Sequence, residues 1–108
     1  MGTETDDVGT LRIERSSPKD IRMRDLYVLV DDDTEDNLLY GEYLELELTV
    51  GEHRIKITNR LFSKSESFTI SGGETVRYRV ANVPASGPIA ILMLLTGSGS
   101  YKVHLERR

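Results

Sequence analysis

Cysteine and tryptophan are absent from these 108 residues, and proline occurs only three times. Without cysteine there is no disulfide framework and no thiolate site, so stability must come from packing and backbone hydrogen bonds. Positive charge is not in excess, since 14 Lys and Arg stand against 18 Asp and Glu for a formal net charge of −4. That balance disfavours a nucleic-acid partner, which calls for concentrated Lys and Arg. The one modest basic cluster, Arg12, Arg15, Lys19, Arg22 and Arg24, is interleaved with Glu14, Asp20 and Asp25 and reads as a solvated face.

Long hydrophobic runs are missing too. The longest, Ile89 to Leu95, falls far short of the roughly 20 residues of a membrane-spanning helix, so no transmembrane segment is expected. Met1 to Asp7 is polar and acidic, not the basic start and apolar stretch of a signal peptide. The expectation is a cytoplasmic protein as the chain stands, or one of the cell envelope if an upstream anchor has been removed.

What is present is period-two alternation, the signature of half-buried strands. Leu11 and Ile13 alternate with polar neighbours, and Leu26, Val28 and Val30 share a face. Leu44, Leu46, Leu48 and Val50 alternate with Glu45, Glu47 and Thr49, a pattern that a helix would smear around its circumference. Gly51-Glu52 reads as a tight turn into His53, Ile55 and Ile57, which makes Tyr43 to Ile57 a predicted hairpin. Phe68 and Ile70, then Gly72-Gly73, then Val76, Tyr78 and Val80 predict a second hairpin. Ile89 to Leu95 is a doubly apolar strand candidate, and Tyr101, Val103 and Leu105 form the last strand. No amphipathic helix is evident. The fold expected is all-β, a single immunoglobulin-like or prealbumin-like antiparallel β-sandwich of about seven to eight strands over 9–108, behind a disordered tail at 1–8.

Within that pattern, Val30-Asp31-Asp32, Gly41-Glu42, Leu46-Glu47-Leu48, Gly51-Glu52-His53-Arg54-Ile55 and Gly73-Glu74-Thr75-Val76 resemble the PEGA-type domain of bacteria, over roughly half the chain. The chain departs from that family in having Val50 where proline usually precedes the turn glycine, and it lacks the Pro-Glu-Gly-Ala string itself. The resemblance implies a small β-sandwich appended to other modules, with a binding or spacer role and no catalytic residues.

Candidate chemistry is sparse. Asp31, Asp33 and Glu35, with Glu42 eleven positions after Asp31, echo an oxygen-rich calcium loop, although Asp36 stands where an EF-hand loop needs glycine. This gives an alternative function, a calcium-dependent module binding carbohydrate or a surface polymer; a solvated acidic turn is the plainer reading. His53 and His104 have no neighbouring ligands at a telling spacing and are assigned structural roles. No nucleophile elbow or phosphate loop occurs, and the serines at 63, 65, 67, 71, 86, 98 and 100 are explained by turns. No enzyme is expected, and no cofactor beyond calcium. The remaining feature is the Ile89 to Leu95 run, whose second face, carrying Leu92 and Leu94 or else Ile91, Met93 and Leu95, needs cover. That cover comes from a loop of the same chain, from a homodimer, or from a partner protein or neighbouring domain. The function expected is a non-catalytic accessory or interaction module of a bacterial protein.

Overall fold

The computed structural model describes residues 7–22, 25–33, 35–60, 62–84 and 101–108. Eight strands are formed among them: β1 (Val8–Glu14), β2 (Leu26–Val30), β3 (Glu35–Leu38), β4 (Tyr43–Thr49), β5 (Gly51–Thr58), β6 (Ser63–Ile70), β7 (Thr75–Pro84) and β8 (Tyr101–Arg107). They make two four-stranded sheets, ordered β4-β1-β7-β8 and β3-β2-β5-β6. Leu11, Ile13, Val76, Tyr78, Val80 and Val103 of the first sheet join Leu26, Val28, Leu38, Ile55, Ile57, Phe68 and Ile70 of the second in one buried cluster. The all-β, two-layer expectation is therefore met, and each fully buried aliphatic side chain contributes about 1.5–3 kcal/mol of apolar transfer.

Three expectations are corrected. The Tyr43 to Ile57 hairpin does not form: β4 pairs with β1, whereas β5 pairs with β2 and β6. Gly51, at φ +134, turns the chain out of one sheet and into the other, so the two alternating runs lie in different layers instead of edge to edge. The second predicted hairpin fails likewise, because β6 and β7 belong to different sheets. Alternation specifies which side chains point inward, and inward is the same direction for neighbours in one sheet or partners across two. Nor is the fold purely antiparallel, since β1 and β7 run parallel, with Leu11 opposite Val76 and Ile13 opposite Tyr78.

Local errors have local causes. β3 was expected as a loop: Glu35-Asp36-Asn37-Leu38 carries a single buried residue, Leu38, and so shows no alternation. Ser63, Ser65 and Ser67 lie in the exposed part of strand β6, not in turns. Val8, expected in the tail, already belongs to β1. Arg15 is not solvated. It takes the next inward position after Leu11 and Ile13 and is only 1% exposed. Its Nε donates to Asp20 Oδ2 at 2.8 Å, its Nη2 to Asp20 Oδ1 at 3.2 Å, and its Nη1 to the Leu38 carbonyl at 2.9 Å. A buried guanidinium requires such a set of acceptors.

The Gly-Glu dipeptides recur as one device. In both Leu39–Glu42 and Ser71–Glu74 the glycine has positive φ (+89 at Gly41, +75 at Gly73). The glutamate N–H donates to the carbonyl three residues back, and its carboxylate accepts that residue's N–H at 2.8 Å. Each turn also grips an end of β1. Gly73 N–H donates to the Val8 carbonyl and Thr10 N–H to the Glu74 carbonyl; Gly41 N–H donates to the Arg15 carbonyl and Arg15 N–H to the Glu42 carbonyl.

Candidate functional site

β3 ends one sheet and β4 ends the other, so among the described residues each keeps one side of its backbone without a strand partner. Between them runs an open trough of two adjoining hollows of about 260 and 320 Å³ that meet at Asp36. One end is lined by Val28, Val30, Leu46 and Leu48 together with Asp31, Asp33 and Glu47; the other by Leu38, Tyr43 and Leu44. Leu44, Leu46 and Leu48 point toward the core, as their alternation predicts, yet they are only half-buried. Val50, the last of that row, is 48% exposed.

The rim is acidic and unneutralised. Among the described residues no Lys, Arg or His lies within ion-pair distance of Asp33, Asp36 or Glu47. Glu45 and Glu47 share the outer face of β4, where Glu45 is paired with Arg12 at 2.8 Å and Arg12 also stacks over the Tyr43 ring at 3.8 Å.

Asp31 closes one end of the trough. Asp31 and Asp32 both have φ +56, and Asp33 N–H donates to the Val30 carbonyl, so the acidic triplet forms a primed turn between β2 and β3. Asp31 Oδ1 accepts the Arg54 N–H at 2.9 Å, and its Oδ2 lies 2.6 Å from His53 Nδ1. His53 Nε2 lies 2.6 Å from the Thr49 carbonyl, and its ring leans on Phe68 with centroids 5.8 Å apart. Both ring nitrogens face acceptors, an arrangement that favours the doubly protonated imidazolium over the neutral ring. The Asp31 and Thr49 hydrogen bonds accordingly raise the His53 pKa against the opposing effect of burial. Burial works to raise the Asp31 pKa, but His53 and the Arg54 N–H outweigh it and hold the carboxyl below its ordinary value.

The four residues of the calcium reading are engaged separately. Asp31 is held by His53 and Arg54, and Glu35 grips the Arg60 guanidinium through both oxygens. Glu42 caps its own turn at Leu39, and Asp33 stands on the trough rim. Among the described residues no three His, Cys, Asp or Glu side chains are grouped so as to hold a metal ion. Ile91, Leu92, Met93 and Leu94 lie outside the described residues.

The trough itself was not singled out from sequence. Its signal was Leu-Glu-Leu-Glu-Leu beside an Asp-rich segment, but the leucines were counted as core because nothing in the pattern marks an edge strand. Fold and site together define a small all-β, two-sheet domain whose described residues leave an acidic-rimmed trough open between β3 and β4. No family model, curated protein or solved structure matches the chain. No helix among the described residues is long and apolar enough to cross a membrane.

Proposed function

We propose that the chain is a non-catalytic interaction module that receives an extended, basic segment of a partner protein in the trough between β3 and β4. The PEGA-like reading, and an immunoglobulin-like or prealbumin-like form of the sandwich, belong to the same proposal. The observation that carries it is the row Leu44, Leu46 and Leu48, half-exposed beside Asp33 and Asp36, which lack cationic partners among the described residues. An unpaired strand edge offers backbone hydrogen bonds to an added strand, and alternate side chains then meet an apolar floor and an acidic rim. A segment alternating aliphatic and Lys or Arg residues answers both.

The test is an amide-resolved NMR titration with a blocked peptide of alternating Val and Lys, and a Val and Glu peptide as control. Saturable shifts confined to β3, β4 and the Asp31 turn, lost in Leu46→Lys, are expected. Equal response to both peptides, or shifts scattered over both sheets, would overturn the proposal.

A further inference from the structure

His53 is placed to act on the trough from behind one of its ends. Its ring, 10% exposed, is carried by β5 in the second sheet and spans two acceptors of different origin. Nδ1 meets the Asp31 carboxylate, in the turn that leads into β3, and Nε2 meets the carbonyl of Thr49, the last residue of β4 in the first sheet. The ring therefore closes the crossover from β4 to β5 and ties it to the β2–β3 turn. Those two elements flank the Asp31 end of the trough. Gly51 lies inside the closed segment at φ +134, where the lack of a Cβ leaves the backbone room to rearrange once the tie is lost.

The number of donors decides the state. An imidazolium offers an N–H to each acceptor, whereas a neutral ring has one N–H and sets a lone pair against the other oxygen at 2.6 Å. The carboxylate is the stronger acceptor, so the neutral ring keeps its proton on Asp31 and gives up Thr49. We infer that His53 is a proton-operated clasp: as the imidazolium it fixes the end of β4 against the Asp31 turn, and as the neutral ring it releases that end of the trough. Among the described residues Asp31 is the charged group that acts on the ring. Asp32 and Asp33 follow it in the turn, Glu52 and Arg54 alternate to the outer face of β5, and β6 presents the uncharged Phe68 ring. The Asp31 and Thr49 contacts raise the His53 pKa against burial, which puts release above the ordinary 6.5. Release also takes the Asp31–His53 pair from neutral to singly negative, at the end of the hollow that Asp33 and Asp36 line. Resting on the reading of the trough as a seat for a basic segment, the opening and the added negative charge both strengthen that binding.

The experiment is an NMR titration of the whole chain from about pH 5.5 to about pH 9.5, reading the nitrogen shifts of both His53 ring positions and the backbone amides. The amides of Asp33, Val50 and Gly51 should move with the midpoint of the ring, and the proton should leave Nε2. The heteronuclear NOE of Val50 and Gly51 should fall above that midpoint. These transitions should vanish in His53→Gln, while His104 titrates with its own neighbours in β7 and β8. A ring that does not titrate in this range, loss of the Nδ1 proton instead, or Val50 and Gly51 as rigid above the midpoint as below it, would overturn the clasp. The blocked Val and Lys peptide is then added at about pH 6 and about pH 9, between which its lysines stay charged. Wild type should bind it roughly three- to tenfold more tightly at the higher pH, and His53→Gln equally at both. Equal affinity in wild type would refute the coupling of clasp to trough. No binding at either pH would sink the trough reading and leave the clasp decided by the titration without peptide.

Discussion

β1 and β4 lie side by side with Leu11 opposite Leu46 and Ile13 opposite Leu44. Both strands alternate, and both direct aliphatic side chains at the same core. Leu11 and Ile13 are completely buried, whereas their partners across the ladder remain half open. The difference arises from position. β1 has β4 on one side and β7 on the other, while β4 has β1 alone and looks across a trough at the short edge strand β3. Burial depends on how many strands flank a residue and what lies opposite, not on the residue's own pattern.

The comparison breaks most severely at the end of the β1 row, where Arg15 replaces an aliphatic residue. Asp20→Ala removes the carboxylate that neutralises the buried Arg15 guanidinium and should cost about 3–5 kcal/mol in urea unfolding. A loss below about 1 kcal/mol would mean that Arg15 finds water or another acceptor. Next, Leu11→Ala should cost about 2–5 kcal/mol, and Leu46→Ala, its register partner, about 1 kcal/mol or less. Equal losses would show that the trough closes in solution. Gly9→Ala tests how tightly β1 is held: a Cβ there would sit 2.5 Å from Ile70 Cγ1 and 2.8 Å from the Ser71 carbonyl. About 1–3 kcal/mol should be lost, with Ile70→Val removing only the Cδ1 contact at 2.7 Å and leaving the Cγ1 and backbone contacts in place.

The smallest effect sits at the end of the trough. Because the His53 pKa is raised on folding, its contribution is complete below the ordinary value of 6.5 and fades as pH rises through the higher folded value. The Asp31 share behaves inversely, fading as pH falls below 3.8 through the depressed folded value. Wild type should therefore exceed His53→Gln in stability most near pH 6, by about 1 kcal/mol or less since Asp31 is 44% exposed. The gap should narrow by pH 9, and a pH-independent gap would show that His53 acts by packing on Phe68 alone.

Strand content and facing were legible in the sequence because period-two alternation survives any choice of partner. Leu26, Val28, Ile55, Ile57, Val76, Tyr78 and Val103 are all where their pattern puts them. Pairing was not legible. A Gly-Glu turn between two alternating runs looks the same whether the chain returns in its own sheet or crosses to the other, and Gly51 crosses. Buried polar groups were hidden for a related reason. Arg15 and Asp20 are five residues apart in a charged stretch, and only the 39–42 turn and the Leu38 carbonyl make that stretch an interior. The same holds for Asn59, whose amide reaches Asn82 across the two layers at 3.0 Å in a buried contact. Of the trough, the acidic and leucine residues could be read, but not the openness of the edge that makes them a surface.

The two Gly-Glu turns that grip β1 also bear on how fast the chain folds. β1 precedes all its partners, drawing its hydrogen bonds from β4, some 35 residues on by register (Leu11 with Leu46), and from β7, some 65 on (Leu11 with Val76). Parallel pairing at such separation requires large loops to close before any hydrogen bond is gained, which makes folding slow. During synthesis β1 can meet β4 once that strand has emerged, but its parallel ladder waits for the Ser71–Glu74 turn and β7. The β5–β6 hairpin, closed by the Asn59 to Phe62 turn, pairs locally and can form long before.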